Sequence, residues 1–315
     1  MDDRALDDTD HRLIAALQCD GRLSVERAAD VLDLPTRTVA RRWAALLRDG
    51  DVRVVATPPR PPVNGVMLLR IRVLRGKIDA VADALARRED IPMVDLSAGG
   101  DQLSAVLLAE PGPRHRLVFR QLPATTAVTS VEAETVIHVF GDAADWRLDA
   151  LTPAERQLLT RRRPPQDPGH TPDDVDRSLM QALAPDARAS AAAVSRATGH
   201  PESTVRRRLA ALFAHGQLRT QVLVDPQLLG LGVDANLRMR VPPARLDATG
   251  RMLAAHPAVH GALATTGAAN LYLAVWLRDL DHLYGFITED LAALDVDDVD
   301  TVLVGRTVKR PGFPR

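Results

Sequence analysis

Apolar residues recur along this chain at two different periods, and the changes of period divide it into segments. Leu13, Ile14 and Leu17 share one face of a helix that Asp8 can cap and that Gly21 and Arg22 break. Ala28, Val31 and Leu32 form the inward stripe of a second helix, opened by Ser24. A third begins near Pro35, where a fixed φ suits a helix start, turns Val39, Trp43, Leu46 and Leu47 inward, and ends at Gly50. Two helices joined by a tight turn, the second one basic, predict a helix-turn-helix.

Beyond the proline-rich joint Pro58-Pro-Arg-Pro-Pro62 the pattern changes. Val66 to Val73 reads as a strand and Ile78 to Arg88 as a helix with Val81, Ala82 and Leu85 inward. Val94 to Ala98 and Leu103 to Leu108 read as a hairpin around Gly99-Gly-Asp-Gln102. His115 to Leu122 reads as a second helix and Val128 to Phe140 as a last strand. The order β-α-β-β-α-β is that of a ferredoxin-like sandwich. A linker follows, in which Thr152-Pro-Ala-Glu155 has the cap, proline and acid of a helix start, while Arg161-Arg-Arg-Pro-Pro165 to His170 reads as irregular and exposed.

The whole series then repeats. Thr38-Val-Ala-Arg-Arg-Trp-Ala-Ala-Leu-Leu-Arg-Asp-Gly50 returns as Thr204-Val-Arg-Arg-Arg-Leu-Ala-Ala-Leu-Phe-Ala-His-Gly216, and the same offset pairs Asp10 with Asp176, Ser24 with Ser190 and Pro35 with Pro201. In the sandwich segments Leu69-Arg-Ile-Arg-Val73 falls on Leu237-Arg-Met-Arg-Val241 and Gly99 on Gly267. So long a period means duplication of whole domains rather than a stacked solenoid. The expected fold class is therefore α+β: two winged-helix-like helix-turn-helix domains (residues 1–57 and 172–222) alternating with two ferredoxin-like βαββαβ sandwiches (62–140 and 229–310), with 141–171 as linker.

The chain's 40 basic and 41 acidic side chains give a net charge of −1, which does not announce a polyanion binder. The charge is segregated, however. Arg37, Arg41, Arg42 and Arg48 lie in an acid-free stretch, as do Arg206, Arg207 and Arg208, while acids gather in runs such as Asp295-Val-Asp-Asp-Val-Asp300. Local fields decide where a polyanion docks. With the apolar stripes turned inward, the outward residues of the basic helices are Thr36, Arg37, Ala40 and Arg41 with Arg42 at the flank, and Glu202, Ser203, Arg206 and Arg207 with Arg208 at the flank; Thr38 and Thr204 join the candidate DNA contacts. Arginine reads guanine bidentately in the major groove or clamps phosphate. Double-stranded DNA is the expected partner, and the reading faces differ: Arg37 against Ser203, Ala40 against Arg206.

Other chemistry is sparse. One cysteine, Cys19, cannot form an intramolecular disulfide. His256 and His260 straddle Pro257, which breaks the helix a metal pair would want. No nucleophile–base arrangement or phosphate loop is evident, so neither enzyme activity, metal nor cofactor is expected. No apolar run approaches the roughly 20 residues needed to cross a bilayer, and the acidic start lacks an export signal, so a cytoplasmic protein is expected.

Asp7-Asp-Thr-Asp-His-Arg-Leu-Ile-Ala-Ala-Leu-Gln-Cys-Asp-Gly-Arg-Leu-Ser24, followed by Thr38-Val-Ala-Arg-Arg42 and Gly50, resembles the N-terminal domain of the Lrp/AsnC transcriptional regulators. The sandwich with its glycine-containing loop resembles their effector-sensing and oligomerisation domain. The resemblance implies a bacterial, ligand-responsive DNA-binding regulator that self-associates through its sandwiches. Most of the family carry one copy per chain and build a dimer, whereas this chain resembles the tandem form; its sandwiches can pair with each other or with a second chain.

A small effector, an amino acid or related metabolite, is then expected near Gly99, Asp101 and Gln102 and near Thr265, Thr266, Gly267 and Asn270, where glycine admits backbone N–H groups to a carboxylate. The alternative for both loops is a polar hairpin turn without ligand. The family often has Gly-x-x-Asp here; this chain has Gly99-x-x-Gln102 and Gly267-x-x-Asn270, and a neutral amide does not hold an ammonium group as a carboxylate does. Its Ser-Pro opening of the recognition helix is replaced by Pro35-Thr36 and Pro201-Glu202. Siroheme decarboxylases resemble the same architecture and supply an enzymatic alternative; an interaction scaffold without DNA binding is another.

Overall fold

The computed structural model describes residues 6–48, 50–59, 65–108, 116–160, 167, 169, 171–294, 296 and 298–310. In chain order the elements are α1 (Asp8–Cys19), α2 (Val25–Leu32), α3 (Thr36–Arg48), β1 (Val52–Thr57), β2 (Val66–Val73), α4 (Ile78–Ala86), β3 (Met93–Ser97), β4 (Gln102–Leu108) and β5 (Val128–Gly141). They continue with α5 (Pro153–Leu159), α6 (Asp174–Leu183), α7 (Ala191–Thr198), α8 (Glu202–Ala214), β6 (Arg219–Val224), β7 (Val233–Arg240), α9 (Leu246–Ala254), β8 (Val259–Thr265), β9 (Leu271–Leu277), α10 (Leu280–Gly285) and β10 (Asp298–Lys309). Between β4 and β5 the described part of the expected helix is α-helical at Arg116 and π-helical over Leu117–Gln121; its expected start at His115 lies outside the described residues. The tract 161–166 expected to be irregular also lies outside them, as does much of the proline joint.

The chain forms two compact units, Met1–Pro61 with Arg147–Leu229, and Pro62–Trp146 with Gly230–Arg315. In the first, two helix triplets, α1–α3 and α6–α8, are joined by β1 and β6, which pair antiparallel from Val52↔Val224 to Thr57↔Arg219. Asp7 rather than Asp8 caps α1, in a capping box with Asp10, and Asp173 with Asp176 repeats that box at α6. Ser24 and Ser190 cap the second helices. Trp43 is core, its indole N–H donating to Leu13 O. The short helix α5 carries the Thr152/Glu155 capping box, and Glu155 accepts from Arg12 of α1 at 2.5 Å.

The triplets hold each other reciprocally. Arg22 donates to Ala187 O at 2.5 Å, and Arg188 donates to Gly21 O and Leu23 O at 2.8 and 3.1 Å. Each guanidinium also lies over an aromatic ring of the other triplet, Arg22 over Phe213 and Arg188 over Trp43. Burial lowers the pKa of Arg188, with the nearby Asp186 opposing the shift. Gly21 is needed at this junction: a Cβ there would stand 2.6 Å from Thr220 Cβ and 2.8 Å from Val54 Cγ1.

In the second unit eight strands close into a barrel in the order β10-β3-β4-β2-β5-β8-β9-β7. Two long strands close it. β5 pairs with β2 through Thr135 and with β8 from Val136, that second ladder carrying a bulge at Ile137; β10 pairs with β7 through Leu303 and with β3 from Val304, with a bulge at Gly305. Both sheet edges are consumed inside one chain, which removes the unpaired N–H and C=O rows an open sheet presents. The strands' outer faces carry two cores, one centred on Ile71, Leu103 and Leu107, the other on Leu237, Leu271 and Leu273. A third cluster inside the barrel joins Leu68, Val136, Tyr272 and Ala274.

The two halves of the barrel have diverged at one end. His260 stacks on Trp276 at 3.8 Å; Trp276 and Arg310 both donate to Asp234, and Trp146 meets Trp276 edge-on. The corresponding first-half positions are Pro92, Leu108 and Val66. Trp146, inside the tract 141–171 expected to be linker, thus belongs to this packing.

Candidate nucleic-acid interface

Helix α3 buries Val39, Trp43 and Leu46 and leaves Thr36, Arg37, Ala40 and Arg41 exposed, with Thr38 half-buried. Helix α8 buries Val205, Leu209 and Leu212 and leaves Glu202, Ser203, Arg206 and Arg207 exposed, with Thr204 half-buried. The side chains of Arg37, Arg41 and Arg207 have no partner among the described residues. Arg206 is engaged by Glu202 one turn earlier, at 2.5 Å.

Arg42 and Arg208 stand apart from this set. Arg42 reaches Asp7 at 2.7 Å and Asp10 at 2.9 Å; Arg208 reaches Asp173 at 2.7 Å and Asp176 at 3.0 Å. Each flank arginine is thereby turned onto the capping box of the first helix in its triplet and bolts the basic helix to it. Asp10 and Asp176 are buried, so these guanidiniums neutralise charges the fold has taken out of water. Asp7 and Asp173 are held below the usual carboxylate range, first by the backbone N–H of Asp10 or Asp176 and then by the arginine. The expected grouping of Arg42 and Arg208 with the outward residues does not match this geometry. The signal is present in the repeat, since Asp7, Asp10 and Arg42 all recur at a single offset as Asp173, Asp176 and Arg208.

The expected effector loops are mostly occupied by their own structure. Asn270 accepts from Val241 N at 2.9 Å and donates to Val241 O at 2.8 Å, so its amide brackets the end of β7. Thr265 is buried and donates to Ala269 O, while Thr266 accepts from Thr135 N. Gly267 adopts φ +110° with Glu134 against it. Gln102 is buried and accepts from Arg70 at 2.7 Å. In the first loop Ser97 donates to Asp101 at 3.4 Å, and the Asp101 carboxylate is otherwise exposed beside Gly99 and Gly100. The geometry therefore brings Gln102, and not Asp101 or the 265–270 side chains, to the barrel interior.

That interior holds a cavity of about 30 Å³ lined by Arg70, Gln102, Glu132, Glu134, Asn236 and Arg238 among apolar neighbours. Its charges are paired across the halves: Arg70 with Asp300 at 2.5 Å, Arg238 with Glu132 at 2.9 Å and with Glu134. Burial opposes the charge on Arg238, and its two carboxylates outweigh that, leaving its pKa raised. The described residues contain no group of three or more His, Cys, Asp or Glu able to hold a metal, and none of their helices is long and apolar enough to cross a membrane.

These features coincide with known proteins. The model of the AsnC-type helix-turn-helix domain matches residues 6–47 and 173–212, and that of the Lrp/AsnC ligand binding domain matches residues 235–312. The uncharacterised HTH-type transcriptional regulator PH0140 of Pyrococcus horikoshii is 32% identical over 145 residues, covering 45% of this chain and 91% of its own. The HTH-type transcriptional regulator Ptr1 of Methanocaldococcus jannaschii is 28% identical over 139 residues, 44% of this chain and 94% of its own. These archaeal relatives extend the kinship beyond the bacterial setting the resemblance implied. Among solved structures, the siroheme decarboxylase NirDL in complex with an iron-uroporphyrin III analogue superposes with a TM-score of 0.60 over 97% of this chain and 93% of that one, at 15% identity, a likeness of fold. The paired capping boxes, the basic helices they brace and the domain matches lead to one conclusion: this chain belongs to the Lrp/AsnC family.

Proposed function

We propose that this chain is a transcriptional regulator of the tandem kind, a covalent pseudo-dimer with two unlike DNA-reading heads. The observation that carries the reading is that Arg37, Arg41 and Arg207 are exposed on two braced helices and have no partner among the described residues. A buried or ion-paired set would favour a scaffold; guanidiniums free on a helix face suit guanine edges and phosphates. Thr36, Thr38, Ser203 and Thr204 supply hydroxyls beside them, and Arg206 acts jointly with Glu202. Arg42 and Arg208 act as braces that fix the pitch of each reading helix.

The reciprocal Arg22 and Arg188 contacts and the β1–β6 pairing support simultaneous use of both heads, because they set one triplet against the other. Half-sites about one helical turn apart, or a multiple, and unlike in sequence are the expected target. The barrel performs within one chain the sandwich pairing that single-copy relatives would need two chains to make.

A small amino-acid-like effector is proposed at the Gly99–Gln102 loop, where Asp101 offers a carboxylate open to an ammonium group. The 265–270 loop is assigned the complementary structural role. The decarboxylase reading rests on likeness of fold alone. The barrel cavity, at about 30 Å³, is far below the roughly 300–1,000 Å³ of sites that enclose drug-sized ligands. Its arginines are already neutralised by carboxylates.

The test is capture of genomic fragments by the full chain, followed by footprinting with and without amino acids. Protection of discrete sites, relieved or strengthened by one amino acid and insensitive to it after Asp101→Asn, is the expected result. Capture no better than salt-sensitive background binding removes the DNA reading.

A further inference from the structure

The two recognition helices differ most at their first residue and one turn later, and that difference has a chemical meaning. Helix α3 opens with Thr36 and carries Ala40 one turn on; α8 opens with Glu202 and carries Arg206. We infer that Glu202 makes the second head a cytosine reader, so that one chain selects half-sites of different base content; the inference rests on the DNA-reading role proposed above.

Glu202 stands where the N-terminal residues of a recognition helix meet base edges. Its side chain is 46% exposed and that of Arg206 74%, so the pair faces outward rather than into the fold. One carboxylate oxygen takes Arg206 Nη2 at 2.5 Å, and the other has no partner among the described residues. The fold makes little use of it. Pro201 precedes the helix without a side-chain cap, Glu202 caps no backbone N–H, and an exposed pair one turn apart adds little to stability.

A carboxylate on a face that meets a polyanion weakens general attraction, so it must act by discrimination. The cytosine N4 amino group is a donor it can accept with no acceptor beside it on that edge; adenine N6 also donates but lies next to the N7 acceptor, and guanine O6 and N7 and thymine O4 are acceptors that repel it. Arg206, held alongside, supplies donors for guanine O6 and N7. The dyad therefore fits a cytosine with a guanine opposite or adjacent. The first head presents arginine donors and hydroxyls only, and carries no such demand.

The experiment is selection of binding sites from random duplexes with the full chain, followed by competition titrations. The second head's half-site is the one whose protection Arg207→Ala removes. Wild type is expected to hold a cytosine there and to lose about five- to tenfold in affinity when thymine replaces it. Glu202→Gln should bring that ratio to about one and tighten binding to unrelated DNA. Thr36→Glu with Ala40→Arg should install the cytosine requirement in the other half-site, an outcome that stands even if the first variant folds poorly. An unchanged cytosine ratio in Glu202→Gln, or no cytosine in that half-site, overturns the inference while leaving the regulator reading intact. Failure of wild type to select any sequence overturns both.

Discussion

Replacing Arg42 with methionine separates bracing from reading. The substitution keeps most of the apolar stem and removes the charge. In the structure the Arg42 side chain is 22% exposed and Asp10 only 3%, and the guanidinium is that carboxylate's principal partner. What remains to Asp10 is the backbone N–H of Asp7 at 3.5 Å. A nearly buried acceptor stripped of its donor costs about 1–3 kcal/mol, so a loss of about 2 kcal/mol is expected. For a unit formed by Met1–Pro61 and Arg147–Leu229, each kcal/mol moves the melting temperature by about 2–4 °C, which predicts a fall of about 4–8 °C.

Asp7 also loses part of what depresses its pKa, after the larger contribution of the Asp10 N–H. A depressed carboxylate stabilises above its unfolded pKa and ceases to do so as pH falls through the folded value, so the variant's acid unfolding should flatten. Calorimetry and DNA titration across salt distinguish it from Arg41→Ala. That variant should melt within about 2 °C of wild type and lower the salt slope of binding by about one. If Arg42→Met melts like wild type but lowers the slope as Arg41→Ala does, Arg42 has left its carboxylates for a phosphate and the bracing argument is wrong.

Two other substitutions probe the units separately. Gly21→Ala places a Cβ 2.6 Å from Thr220 Cβ, and overpacking of this kind costs about 1–3 kcal/mol; denaturant unfolding should show it, and an unchanged midpoint would mean the β1–β6 junction is looser than described. Asp95 is buried in the barrel, accepting from Thr307, and burial raises its pKa to about 6 from 3.8. A raised folded pKa gives stability that is complete below the unfolded value and is lost as pH rises through about 6. Barrel stability should therefore fall by about 1–2 kcal/mol between about pH 5 and pH 7.5, and Asp95→Asn should abolish that slope; equal slopes in variant and wild type would contradict the assignment.

The helices are legible because their information is local: the stripe Val39, Trp43 and Leu46 states which side of α3 is buried wherever the rest of the chain goes. Strand β1 is not legible in the same way. Val52-Arg-Val-Val is short, and its partner at Arg219–Val224 is distant in sequence, so nothing nearby marks it as paired. Closure of the barrel escapes the sequence for a similar reason. The apolar pattern predicts the strand Val128 to Phe140, yet nothing local tells that its end, from Val136, pairs with β8, or that β10, which runs to Lys309, pairs from Val304 with β3 of the other sandwich. Side-chain roles are the least legible. Asn270 looks like a ligand anchor by composition, but an amide both donates and accepts, which suits it to bracket Val241.

The measurement that bears most directly on two heads in one chain is a footprint on a selected natural site, taken with wild type, Arg41→Ala and Arg207→Ala, with the number of chains per duplex counted by native mass spectrometry. The account predicts that a single chain spans two unlike half-sites and that each variant loses protection of one while keeping the other. A perfectly symmetric site, or loss of both half-sites together in either variant, would contradict it.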